Sequence, residues 1–150
     1  SGGQRQRVCI ARALASKPKL IIADEALSAL DVSIQAQVIN LFMDLQKEQD
    51  LAYLFISHDM AVVEKMSHRV AVLYLGQIME LGSRQQVFET PSHDYTKRLL
   101  SAVPIADPAA RTNRSALEGE IPSTTRRIDD KPPIYRHREV ATGHFVAETA

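Results

Sequence analysis

Two short apolar runs, each ending in polar or acidic side chains, constrain this chain more than anything else in it. Leu20-Ile21-Ile22-Ala23 runs into Asp24-Glu25, and Ala52-Tyr53-Leu54-Phe55-Ile56 runs into Ser57-His58-Asp59. Runs this short and apolar, without alternation, read as buried strands of a parallel sheet. Between them Asp31 is a candidate N-cap for a helix to about Glu48, whose Ile34, Val38, Leu41, Phe42 and Leu45 share one face. A further helix, Met60 to about Met66, and a strand from Arg69 continue the alternation. Strand, helix, strand, helix, strand predicts an α/β sheet with parallel central strands. Ligands of such sheets sit beyond the carboxyl ends of the strands, where both polar clusters fall.

The rest of the chain divides by composition. Gly2-Gly3 precede a helical stretch from Gln4 to about Ser16, stopped by Pro18. Arg69–Leu75 and Gln77–Leu81 read as strands joined by a turn at Gly76, and 84–89 and 94–102 as short helices around Pro91. From Pro104 to Arg138 the sequence holds five of the seven prolines, mixed charges and few large apolar residues, which reads as a linker or disordered tail. One short strand is expected over 140–147. The domain reading is therefore 1–83, a helical extension over 84–104, and a flexible tail over 105–150. Formal net charge is zero, which gives no reason to expect nucleic acid or anionic lipid. No apolar run approaches the roughly 20 residues that span a bilayer. Cys9 stands alone, so it forms neither an internal disulfide nor a multi-thiolate site, which fits a reducing compartment.

Three places carry candidate chemistry. An apolar strand ending in Asp-Glu suits phosphate chemistry: Asp24 can hold Mg²⁺ through oxygen contacts with water between, and Glu25 can orient and deprotonate an attacking water. Two solvated acids capping a strand would look the same. His58 can stabilise developing charge on a γ-phosphate, or it can be a surface capping residue. Ser1-Gly2-Gly3-Gln4 feeds a helix N-terminus, where free N–H groups and the positive dipole end make an anion site. An ordinary helix start has the same composition.

Taken together these residues resemble ATP-binding cassette (ABC) ATPases. Ser1-Gly2-Gly3-Gln4-Arg5-Gln6-Arg7 resembles the signature motif, Leu20–Asp24 the Walker B strand, Ser28-Ala29-Leu30-Asp31 the D-loop, and Ser57-His58-Asp59 the switch-histidine segment, in the family's order and spacing. The resemblance covers roughly residues 1–102. It implies a P-loop (RecA-like) fold, with Glu25 as catalytic glutamate, His58 as switch histidine, Asp24 at Mg²⁺, and Ser1 to Gln4 contacting ATP held by a second ATPase domain. ATP and Mg²⁺ are the implied cofactors. Ala26 and Leu27 replace the usual Pro-Thr after the acids. No Gly-x-x-x-x-Gly-Lys-Ser/Thr occurs in the 150 residues, so the β- and γ-phosphates have no cradle here. The chain is expected to be the C-terminal part of such a domain followed by a largely disordered extension, and to be inactive alone.

Within the family, Pro91-Ser92-His93-Asp94-Tyr95-Thr96-Lys97-Arg98-Leu99-Leu100 resembles a stretch of ATP-binding subunits from bacterial dipeptide and oligopeptide importers, with Asp94 in place of Pro. Ala102-Val103-Pro104 and Gly143-His144-Phe145-Val146-Ala147 resemble that subfamily's C-terminal extension. The wording of 53–64 and 72–78 is similar to its glutathione-importing branch. The resemblance implies two transmembrane permease subunits, a periplasmic substrate-binding protein and a second ATPase domain as partners, at the cytoplasmic face of the inner membrane. No nucleic acid, direct membrane insertion or iron–sulfur cluster is expected. Two alternatives remain open on the sequence: a soluble ABC ATPase acting on nucleic acid or ribosomes, and a non-catalytic remnant that only dimerises.

Overall fold

The computed structural model describes residues 2–28, 30–103 and 135–149. They form two compact units, Ser1–Ser67 and His68–Ala150. The first unit runs α1 (Gly2–Leu14), β1 (Leu20–Asp24), α2 (Val32–Gln49), β2 (Ala52–Ile56) and α3 (Met60–Met66). Strands β1 and β2 pair in parallel, from Leu20 opposite Ala52 to Asp24 opposite Ile56. This register brings the two carboxyl ends level.

Helix α2 is set by its ends and its apolar face. The Asp31 carboxylate accepts the Ile34 N–H at 2.9 Å, which satisfies one of the helix's free donors. At the other end Asp50 turns left-handed, with φ 51°. Val38, Ile39, Phe42 and Leu45 are buried with Ile10, Leu27, Leu51 and Val62. Phe42 meets Tyr53 and Phe55 of β2 edge-on, at centroid separations of 5.2 and 6.3 Å. The expectation of buried strands holds on this face only. On the other, Leu20, Ile22, Leu54 and Ile56 are exposed.

The second unit runs β3 (Arg69–Tyr74), β4 (Gln77–Ser83), α4 (Arg84–Glu89), α5 (Asp94–Ser101), β5 (Tyr135–Ala141) and β6 (His144–Thr149). Its sheet is antiparallel, in the order β3-β4-β6-β5. Two sequence expectations are corrected here. The third strand does not extend the parallel sheet. The β3–β4 turn takes left-handed backbone at both Leu75 and Gly76, φ 49° and 77°, which matches hairpin twist and commits β3 to an antiparallel partner. The single strand expected over 140–147 is instead a hairpin, with Gly143 at its turn, φ 69°. The tail reading over 105–134 falls outside the described residues.

One buried carboxylate organises the second unit. Glu80 of β4 is fully buried and accepts the Ser92 and His93 N–H groups at 2.8 and 3.1 Å. His144 of β6, also buried, meets Oε1, the oxygen that also accepts the Ser92 N–H, at 2.7 Å. Burial pushes the Glu80 carboxyl up, but the hydrogen bonds from Ser92, His144 and His93, with the Thr96 hydroxyl nearby, outweigh it and hold the group below the ordinary carboxylate value. The strand, the α4–α5 junction and the C-terminal hairpin thus share one anchor.

Candidate functional site

The parallel register places the two sequence-predicted polar clusters side by side. Asp24 closes β1 as an exposed side chain. Glu25 follows in left-handed backbone, φ 48°, a conformation that costs a non-glycine residue about 1 kcal/mol or more. The surrounding bonds enforce it. The Glu25 N–H donates to the Ile56 carbonyl at 3.0 Å, extending the ladder one step beyond the strand. The Glu25 carbonyl accepts both the N–H and the hydroxyl of Ser28, at 3.2 and 2.9 Å. Leu27, one of the two departures from the family wording, is only 3% exposed and anchors this loop in the core.

His58 leaves the end of β2 in a turn tied on both sides. The Asp59 N–H donates to the Ser57 hydroxyl at 3.1 Å. The Asp59 carboxylate accepts the Ala61 and Val62 N–H groups at 3.0 and 3.3 Å, capping α3. Its other oxygen accepts the Gln35 side-chain amide of α2 at 3.1 Å. Held this way, the His58 ring Nδ1 lies 3.0 Å from the Glu25 carboxylate. The hydrogen bond and charge of Glu25 raise the His58 pKa above its ordinary value, with slight desolvation opposing and Asp59 assisting. The pair is open to solvent, His58 at 78% and Glu25 at 44% exposure, so bulk water screens this attraction.

Glu25 and His58, predicted from separate segments 33 residues apart, are thus brought together. Asp24 precedes Glu25 with its carboxylate exposed. Ser28, Leu30 and Asp31 form the connection into α2, with Leu30 donating its N–H to Leu27. Ser1 and Ala29 lie outside the described residues. At the chain's start the structure revises one detail. Gly2 and Gly3 do not form a turn ahead of the helix but belong to α1 itself. Gly3 is buried against α2, and a Cβ there would meet the Ile34 Cγ2 at 2.5 Å. Close helix packing therefore needs this glycine, whatever else it contacts. Sequence reasoning missed Leu27 as an anchor, Gln35 as a partner of the His58 loop, and the Glu80–His144 pair. Only Leu27 carried a local signal, an apolar residue where the family pattern is polar.

The ABC transporter family model matches residues 1–28, and the model described as the oligopeptide/dipeptide transporter, C-terminal region, matches residues 79–132. The glutathione import ATP-binding protein GsiA of Pectobacterium atrosepticum is 64% identical over 148 residues, 98% of this chain. Its namesake in Escherichia coli is 58% identical over 149 residues. The chain spans 24% of the length of each of these relatives. Among solved structures, a putative metal-chelate type ABC transporter is 37% identical at a TM-score of 0.55, covering 58% of this chain and 34% of that one. The Clostridium perfringens protein cbiO1, part of an ABC transporter complex, is 31% identical at 0.55, covering 59% and 35%. Over 98% of its length the chain thus matches one stretch of ABC-transporter ATP-binding proteins, and residues 79–132 match the oligopeptide/dipeptide type.

Proposed function

We propose that these residues contribute ATP hydrolysis to a bacterial ABC importer of small peptides, with glutathione the favoured cargo. The observation that carries this reading is the Glu25–His58 pair, 3.0 Å apart at the level carboxyl ends of two parallel strands. Glu25 is open enough to accept a proton from water, and its backbone is fixed by three hydrogen bonds, to the Ile56 carbonyl and from the Ser28 N–H and hydroxyl, so the carboxylate needs little reorganisation. His58, kept protonated to higher pH by Glu25, supplies a positive donor for a γ-phosphate. In this reading Ser1, Gly2, Gly3 and Gln4 contact ATP held by a second ATPase domain, and the first N–H groups of α1 are among the donors. Ser28, Leu30 and Asp31 carry the chain from Glu25 into α2.

Mg²⁺ fits the donor set. It keeps most of its waters and takes one or two carboxylates, and Asp24 presents one exposed carboxylate beside Glu25. Among the described residues no three ligating side chains form a cage, which that ion does not need. When bound there it would neutralise phosphate charge. Among the described residues no helix is long and apolar enough to cross a membrane. In this reading attachment to the cytoplasmic face of the inner membrane comes through two permease subunits, with a periplasmic binding protein delivering the peptide. The 150 residues contain no phosphate-cradling P-loop, and on their own they are expected to turn over no ATP.

The cargo is tested by uptake. A glutathione import ATP-binding protein whose matching quarter is replaced by these 150 residues is expressed in cells lacking their own importer. The reading predicts ATP-dependent uptake of labelled glutathione, lost in His58→Ala. Uptake equal to that of empty cells, with the chimaera correctly assembled, would overturn it.

A further inference from the structure

Glu25 and His58 sit on two different loops, one leading from β1 into α2 and the other from β2 into α3. Their side chains are exposed, so packing does not hold them together. Two cross-connections bracket the pair. At the strand ends the Glu25 N–H donates to the Ile56 carbonyl at 3.0 Å. At the helix starts the Gln35 amide of α2 donates to the Asp59 carboxylate at 3.1 Å, half-buried. The first is backbone and accepts almost any residue. The second depends on one side chain.

We propose that Gln35 is a positioning residue for His58, holding the histidine loop against the start of α2 so that the imidazole meets the Glu25 carboxylate. The chain of contacts is continuous. Asp31 ends the loop that begins at Glu25, and its carbonyl accepts the Gln35 N–H at 2.8 Å, one helical turn on. Gln35 then reaches Asp59, the residue after His58. Asp59 is saturated by this contact: one oxygen caps α3 through Ala61 and Val62, and the other takes the amide. Both ends of the Glu25 loop are thereby registered to the His58 loop. An uncharged amide suits the place, because it donates to Asp59 without adding a cation beside His58. This inference rests on reading Glu25 and His58 as the water- and phosphate-facing pair.

The test reads the imidazole directly. The chain has five histidines, so ¹⁵N-histidine labelling gives few signals, and His58→Gln assigns one of them. At fixed pH near 7.5, Gln35→Met, which keeps length and removes the donor, is expected to move the His58 ring ¹⁵N signals in the same direction as Glu25→Gln. His144, in the other unit, should stay still, so the change is local to the first unit. Gln35→Glu sets two carboxylates face to face and should perturb His58 as well. Adding Asp59→Asn restores a donor–acceptor pair with polarity reversed and helix capping intact, and should return the signal toward wild type. A His58 signal unmoved by Gln35→Met, or unrestored in the Gln35→Glu/Asp59→Asn double variant, overturns the proposal. If the ATPase reading alone is wrong, turnover is missing from every variant of the chimaera while these ring signals behave as stated.

Discussion

Replacing Glu80 by alanine should be among the most damaging single changes in the second unit. The carboxylate is fully buried, and the Ser92 N–H, the His93 N–H and the His144 ring converge on it at 2.8, 3.1 and 2.7 Å. The buried Thr96 hydroxyl has no other partner in good geometry and lies close enough to favour the charged carboxylate. Alanine leaves two backbone donors and an imidazole unpartnered. The buried imidazole so orphaned costs about 1–3 kcal/mol and each of the two part-buried N–H groups somewhat less, so the loss is roughly 2–6 kcal/mol. A whole domain is stable by only about 5–15 kcal/mol, so Glu80→Ala is expected to remove a large share of the unit's stability. Glu80→Gln keeps one acceptor oxygen and turns its amide toward a donor, for a loss of about 1–3 kcal/mol. The assay is urea unfolding followed by tyrosine fluorescence. The chain has no tryptophan, and Tyr74 and Tyr95 of this unit lie with ring centroids 4.4 Å apart. A Glu80→Ala variant within about 1 kcal/mol of wild type, with the hairpin still protected from protease, would refute the idea that this carboxylate anchors three elements.

Other outcomes follow from the same structure. Because Glu80 titrates below its ordinary value of 4.5, its contribution is full above that value and is lost as pH falls through the lower, folded one. Amide protection in β6, corrected for the intrinsic exchange rate, should therefore fall as pH drops below 4.5, and protection unchanged down to pH 2 would count against the anchor. Gly3→Ala should lower the first unit's stability by about 1–3 kcal/mol through the Ile34 contact, read by thermal melting, whereas a neutral result would mean the two helices separate freely. Glu25→Gln should bring the His58 pKa down toward 6.5. Since the folded value is the raised one, the small stabilisation is full below 6.5 and is lost as pH rises through the higher, folded value, and an NMR titration unchanged by the variant would dismiss the contact.

The site was more legible in the sequence than the second unit was. Glu25 and His58 could be paired in advance because each follows a short apolar run, and parallel pairing of two such runs across one helix leaves their ends level. Asp31 was readable for a local reason, a capping side chain ahead of helical sequence. The C-terminal hairpin was hidden because Tyr135-Arg136-His137-Arg138-Glu139 shows no apolar stripe. It is an edge strand, where charge protects an open ladder and so disguises it. Glu80 was hidden differently. An acid within a strand reads as a solvent-facing residue until its partner, 64 residues away, closes over it. The left-handed backbone of Glu25 carries no residue signal at all, since no glycine marks it and only neighbouring bonds impose it.

The central claim is that Glu25, poised by His58 at the end of β1, activates the water that attacks ATP. Its most direct measurement is phosphate release at saturating ATP by the chimaeric importer, wild type against Glu25→Gln, with nucleotide binding measured in parallel. The account predicts that turnover falls about a hundredfold or more while ATP is still bound, the scale expected when a positioned general base is lost. Turnover within a few-fold of wild type would contradict it.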